Sequence, residues 1–283
     1  VVQRLATGYV FDPADPRAPA VEEWERMLPD ERARVLDLLP SAVPLDLLAN
    51  EGDLHRKAKQ GALDALDDFF RRAGRRIYLS SEIAVYYPGE RRFAPDLFAV
   101  TDVEPYERMR WVAAEEGKGL DFVLEVHVAG DRRKDEKLNV ERYARLGIQE
   151  YFYFDRTTLR IVGYRLPSSE SGAPARVYQR IVPQAGRFTS TVLGLDLTLD
   201  GSRLRFFAGN APLEDAPEMI ARLGSMIDEV LAREEDLTSR LAEEQRRRED
   251  EQRLREEEQR RREAIEQELA EARAELERLK KGT

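Results

Sequence analysis

The sequence predicts an α/β fold, a mixed β-sheet flanked by helices, followed by one long charged C-terminal helix. Two observations carry this reading. Segments of helical and strand periodicity alternate through the middle of the chain in the order helix–strand–strand–strand–helix–strand. From about residue 217 the pattern changes to one uninterrupted helix rich in Glu and Arg. The organisation this implies is an N-terminal helical and irregular extension over residues 1–50, an α/β domain over 51–216, and a long helix with partial coiled-coil character over 217–283.

The elements follow in order. The Pro-rich entry FDPADPRAPA leads into a helical stretch, VEEWERMLPDERARVLDLLP, whose second half starts at the capping pair Pro29-Asp30. Residues 53–74 predict an amphipathic helix, with Leu54, Ala58, Gly61, Ala62, Leu66 and Phe69 at helical spacing and Gly74 as its stop. RRIYLSSEIAVYYPGERRFAPDLFAV reads as a strand, a turn at Pro88-Gly89-Glu90, and a second strand through residues 97–100. Residues 120–128 form a third strand. DEKLNVERYARLG is a helix ending at Gly147, and QEYFYFD is a strand followed by a hairpin-like TLRIVGYRL. SSESGAPA is a loop, and VYQRIVP, STVLGLDLTLD and SRLRFFA are further short strands.

The C-terminal helix keeps one heptad register. Ile220, Leu223, Ile227, Val230, Leu237 and Leu241 open it, and Ile265, Leu269, Ala272, Leu276 and Leu279 resume it. Between them the same positions hold Arg248, Glu251, Arg255, Glu258 and Arg262, which a buried seam accommodates only at a cost. The middle instead carries Glu-to-Arg pairs four residues apart, such as Glu244–Arg248 and Glu258–Arg262, each adding about 0.2–0.5 kcal/mol to an isolated helix. Two readings stay open, a solvated spacer and a coiled coil that joins two copies of the chain as a homodimer.

Bulk properties narrow the classes. The 283 residues are 42% hydrophobic and 36% charged, with a formal net charge of -9, so any nucleic-acid contact needs a local basic patch. The absence of cysteine excludes disulfides, thiol catalysis and Cys-ligated zinc. No stretch approaches the roughly 20 apolar residues of a membrane span. The opening VVQRLATGYV has no basic segment ahead of an apolar run, and a cytoplasmic location is the expectation.

Chemistry gathers around DFVLEVHVAGDRRKDEK, residues 121–137. Strand side chains alternate, so Glu125 and His127 share one face while Val126 and Val128 take the other. Asp96, after Pro95, heads a neighbouring strand. An Asp and a Glu converging at the end of a sheet suit Mg²⁺ or Mn²⁺, and such an ion activates water and neutralises charge on a phosphate. Basic residues flank both strands: Arg91 and Arg92 before Asp96, and Arg132, Arg133 and Lys134 after Glu125. They are the candidate contacts to a DNA backbone. The arginines at 71, 72, 75 and 76 read as a solvated helix end. No Gly-rich phosphate loop is present, which argues against an NTPase.

In order along the chain stand His55 at the head of a helix, Pro95-Asp96, Glu125-Val126 at a strand end, and then Asp135, Tyr143, Gly147-Ile148, Glu150-Tyr151-Phe152 and Asp155. In this ensemble, residues 50–205 resemble the Uma2 family, bacterial proteins with a PD-(D/E)XK restriction-endonuclease-like fold. The resemblance implies a metal-dependent endonuclease acting on DNA. Asp96 and Glu125 would be its metal ligands, with the Val126 carbonyl a further contributor. It also implies a catalytic lysine, two residues after the Glu or four after the Asp of the helix. Those positions hold His127 and Asn139. Either His127 takes the lysine's place, Lys137 reaches in from the helix through a local shift, or the site is silent and the chain is a binding or scaffold module working through its helical tail.

Overall fold

The structure is a computed structural model that describes residues 2–5, 8–44, 52–129, 134–167 and 176–281. The chain divides into two compact units, Val1–Ala216 and Pro217–Thr283. The first is a mixed α/β unit. It begins with a small hairpin, β1 (Gln3–Arg4) and β2 (Val10–Phe11), and two short helices, α1 (Val21–Arg26) and α2 (Pro29–Leu38). Pro29 sits at the start of α2, where its missing N–H costs nothing. Then come α3 (Asp53–Ala73), β3 (Ile77–Ser80), β4 (Ala84–Tyr86), β5 (Leu97–Thr101), β6 (Arg110–Val112), α4 (Ala113–Glu116) and β7 (Phe122–His127). A π turn over Lys134–Leu138 feeds α5 (Asn139–Leu146), followed by β8 (Glu150–Asp155), β9 (Arg160–Arg165) and β10 (Gln179–Arg180). A ribbon of β11 (Phe188–Ser190), β12 (Leu195–Asp200), β13 (Arg203–Ala208) and β14 (Ala211–Pro212) closes the unit. Gly74 and Gly147 end α3 and α5 in the left-handed conformation that a side chain resists, with φ of 62° and 79°.

The central sheet has six strands in the order β10-β9-β8-β7-β5-β3. Its β7–β8 pair is parallel and the others are antiparallel, so the sheet is mixed. The parallel pair needs a crossover, which the π turn and α5 supply. β7 and β8 are buried along their whole length, which explains their near-continuous apolar runs. On one face, α3 and the ribbon pack Ala62, Leu66, Phe70, Leu195, Leu197 and Phe206 against Leu97, Phe122, Leu124 and Phe152. On the other, Trp111, Val85, Phe93, Tyr143 and Ile148 pack against Phe98, Val100, Val123, Tyr151 and Tyr153.

Two local readings change. RRIYLSSEIAVYY is not one strand. It breaks at Glu82, whose φ of 53° leaves extended space, and whose N–H donates to the Pro95 carbonyl at 2.9 Å. Past the break, β4 leaves the main sheet and pairs in parallel with β6. The inward stripe of α3 is also rotated by one residue: Leu54 is exposed, and the buried residues are His55, Lys59, Ala62, Ala65, Leu66 and Phe70. The SSESGAPA loop lies outside the described residues.

The N-terminal segment shares a core with the β4–β6 pair. Tyr9, Phe11, Trp24, Met27, Val35 and Leu39 bury Ala84, Tyr86 and Val112, and the Tyr86 hydroxyl donates to the Pro40 carbonyl at 2.6 Å.

The second unit is α6 (Ala216–Lys281), 66 residues of helix and about 100 Å long at about 1.5 Å per residue. Its apolar residues Ile220, Leu223, Ile227, Val230, Leu237 and Leu241 are exposed. Ion pairs one turn apart include Glu244–Arg248 at 3.0 Å and Glu258–Arg262 at 2.8 Å.

Truncating Trp24, 5% exposed between α1 and the β4–β6 pair, should cost about 3–5 kcal/mol of unfolding free energy in urea. A loss near zero would mean that this segment does not share the core.

Candidate functional site

The site forms where β5 begins and β7 ends. The antiparallel register pairs Leu97 with Leu124, which brings Asp96, one residue earlier, level with Glu125. The Asp96 N–H donates to Glu125 Oε2 at 3.3 Å, and the Val126 N–H donates to Asp96 Oδ2 at 2.7 Å. Pro95 ahead of it marks the start of the strand, a position where a missing N–H is tolerated.

Three further elements close on these acids. His55, at the head of α3, sets its Nε2 3.1 Å from Asp96 Oδ2. One turn along the same helix face, the Lys59 ammonium lies 2.5 Å from Glu82 Oε2. From the opposite face of the sheet, the Tyr143 hydroxyl of α5 donates to Glu125 Oε1 at 2.6 Å. Asn139, one turn before Tyr143, is buried as well. His127 is buried two residues beyond Glu125, its ring 6.0 Å from that of Tyr153.

Among the described residues, one group offers possible ligand atoms all within 4.8 Å of one another: His55, Glu82 and Asp96. Two oxygen donors and an imidazole suit a divalent first-row or magnesium-like ion. The fit is supported by a buried atom. Glu82 Oε1 has no hydrogen-bond partner in the protein, nor has His55 Nδ1, and buried polar atoms are rarely left so. The formal charges point the same way. Three carboxylates (Glu82, Asp96, Glu125) against one ammonium (Lys59) leave -2 when His55 is neutral. Burial alone would lower the His55 pKa, but the hydrogen bond and charge of Asp96 outweigh it and raise the imidazole above its ordinary value.

The residues singled out in the sequence fall into three groups. Asp96, Glu125 and His127 are buried at this end of the sheet, and Asn139 is buried on α5 one turn from Tyr143. Glu125 lies beside the His55–Glu82–Asp96 group, and the contact that Val126 makes to Asp96 is through its N–H. Lys137 is exposed. Of the basic residues, Arg91 pairs with Asp15 at 3.2 Å and Arg92 donates to the Ala42 carbonyl at 2.8 Å, so both are tied to the N-terminal segment. Arg132 and Arg133 lie outside the described residues, and Lys134 opens the π turn. The helix-end arginines have local partners: Arg71 and Arg72 on Asp68, Arg75 on the Val192 and Leu193 carbonyls, and Arg76 on Glu104.

Two members of the cluster escape sequence reasoning, Lys59 and Glu82. A signal existed for each. Counting back from Phe70 by helical steps through Leu66 and Ala62 reaches Lys59 and then His55, an inward stripe with a cationic end. The Ser80-Ser81-Glu82 run interrupts an otherwise apolar strand, and an unbroken central strand does not carry three such residues in a row.

No curated protein matches the chain. Among solved structures, a "putative nuclease belonging to DUF820" from Anabaena variabilis ATCC 29413 aligns with it at 12% identity and a TM-score of 0.38, over 54% of this chain and 76% of that one. The family match is to Uma2, described as "Putative restriction endonuclease", over residues 46–200. That interval exceeds half of the sequence and contains every residue of the acidic cluster, and on this ground the chain belongs to the Uma2 family.

Proposed function

We propose that the α/β unit is a metal-dependent endonuclease that hydrolyses DNA phosphodiester bonds. The observation that carries this reading is the meeting of Asp96 with His55 and Glu82 within 4.8 Å, directly beside Glu125. Asp96 and Glu82 would hold Mg²⁺ or Mn²⁺ with His55, and Glu125 would complete the acidic rim. Such an ion, when bound, neutralises phosphate charge and makes a bound water more acidic.

The chain's own groups do the rest. Hydrolysis forms a bond from a water oxygen to phosphorus and breaks one P–O ester bond. The attacking water gives up a proton, and the leaving oxygen gains one from solvent. His127, on the Glu125 face of β7, is the imidazole assigned to accept the first proton. Tyr143 fixes the orientation of Glu125 through its 2.6 Å hydrogen bond. Arg132, Arg133 and Lys134 follow β7 in sequence and are the backbone-phosphate contacts of this reading, while Arg91 and Arg92 are engaged by the N-terminal segment.

A second reading concerns α6 and is favoured by its exposed apolar stripe. Residues 217–283 would pair two copies of the chain, with Leu223, Ile227 and Val230 in the seam.

Three outcomes are expected. In Mn²⁺ the protein should nick supercoiled plasmid, and Asp96→Asn or Glu125→Gln should lower the rate by about 10²-fold or more. Absence of nicking by the unaltered protein with either metal, together with negligible DNA affinity, would sink the nuclease reading. Mn²⁺ at about 100 times its Kd should stabilise the fold by about 2.7 kcal/mol, and Asp96→Ala should abolish the shift in calorimetry. Light scattering should report twice the chain mass, returning to the single mass in a Leu223→Lys/Ile227→Lys/Val230→Lys variant. A single mass for the unaltered chain would rule out the pairing.

A further inference from the structure

Lys59 is buried, 5% exposed. An ammonium is buried at considerable cost unless a partner or a function holds it. Its partner here is Glu82, itself in an unfavourable backbone conformation with φ of 53° and locked by the Pro95 carbonyl next to Asp96. Residues in that region cost on the order of 1–3 kcal/mol and persist where the surrounding structure over-determines them. Lys59 thus stands one helical turn from His55, within electrostatic reach of its imidazole, and in contact with a member of the acidic group. The Glu82 side chain keeps 23% exposure, so the cluster meets solvent at the end where Lys59 sits. The two places where the family resemblance implies a lysine hold His127 and Asn139, and Lys137 is exposed.

We propose that Lys59, delivered by α3, is the cationic group of the site and binds the non-bridging oxygens of the scissile phosphate. This inference rests on the nuclease reading above. Lys59 acts through its charge alone, and no bond forms to it. Its charge opposes the negative charge that grows on the phosphate oxygens as water adds, and it would act from the sheet face opposite to that of Tyr143. A purely structural ion pair with Glu82 is the competing account.

The test compares the full chain with Lys59→Met, which keeps the buried stem and removes the charge, and with Lys59→Arg. Four quantities are measured: plasmid nicking in Mn²⁺, Mn²⁺ affinity by calorimetry, binding of inorganic phosphate to the Mn²⁺-loaded protein, and the unfolding midpoint. Lys59→Met should lower kcat by about 10²-fold. It should weaken phosphate binding by about tenfold. Mn²⁺ affinity should stay within a factor of about three, because Lys59 donates no lone pair to the ion. Lys59→Arg should recover part of both losses. Nicking by Lys59→Met at the unaltered rate overturns the proposal and leaves the nuclease reading intact. So does a loss of activity that simply follows a loss of Mn²⁺ affinity. If the unaltered protein cleaves nothing, the nuclease reading falls, and unchanged phosphate binding in Lys59→Met overturns this inference as well. Should Lys59→Met fail to fold, Lys59→Gln serves the same comparison.

Discussion

One carboxylate oxygen joins the parts of this molecule that matter for chemistry. Asp96 Oδ2 accepts from the Val126 N–H of the central strand and faces the His55 imidazole of a helix on one side of the sheet. The Asp96 amide, in turn, donates to Glu125, which Tyr143 holds from the other side. At this point β5 has run out, so the side chain of Asp96 stands in for the next backbone acceptor. The end of the β5–β7 ladder, the seating of α3 and the pairing of two acids therefore hang on the same group. Without it a buried strand amide and a buried imidazole would both lose their partner, each an expensive orphan in a low-dielectric interior.

The acids are kept close by backbone geometry rather than by mutual attraction, since like charges repel. The price is visible in the Glu82 backbone. Compensation comes from α3, where the Lys59 ammonium and the hydrogen-bonding His55 imidazole occupy positions one turn apart that in an ordinary amphipathic helix would be aliphatic. The upper part of α3 is a core helix, with Leu66 and Phe70 packed on the sheet. Its first two turns are given over to electrostatics. One element thus carries two designs in series.

This explains what could be read from the chain in advance. The strands β5, β7 and β8, the helix α5 with its Gly147 stop, and the long α6 follow from periodicity and capping, because their local preferences agree with their surroundings. Asp96 and Glu125 were legible because a Pro-Asp pair and a Glu inside an apolar strand break the local pattern in a recognisable way. Glu82 was hidden by the opposite circumstance. Its segment has strand composition on both sides, and the turn that removes β4 from the main sheet is imposed by tertiary contacts, chiefly the hydrogen bond to Pro95 and the pairing of β4 with the distant β6. Lys59 was hidden because a lysine on an amphipathic helix is ordinarily assigned to solvent, and the true inward stripe is one residue away from the one that Leu54 suggests. The tethering of Arg91 and Arg92 to the N-terminal segment likewise depends on long-range contacts that no local pattern encodes.

The family match and the folding unit have different edges. The match begins at residue 46, after the helices that cover Tyr86 and Val112, and stops at residue 200, between the two strands of the β12–β13 hairpin. A fragment cut to those limits would retain the acidic cluster yet leave an open strand edge at β12 and remove Phe206, a side chain 1% exposed beneath α3. Unpaired strand edges and bared aromatic cores promote aggregation. Evolutionary recurrence thus marks out the chemistry of this chain more narrowly than its folding unit, and residues that complete its core lie partly outside the interval by which it is recognised.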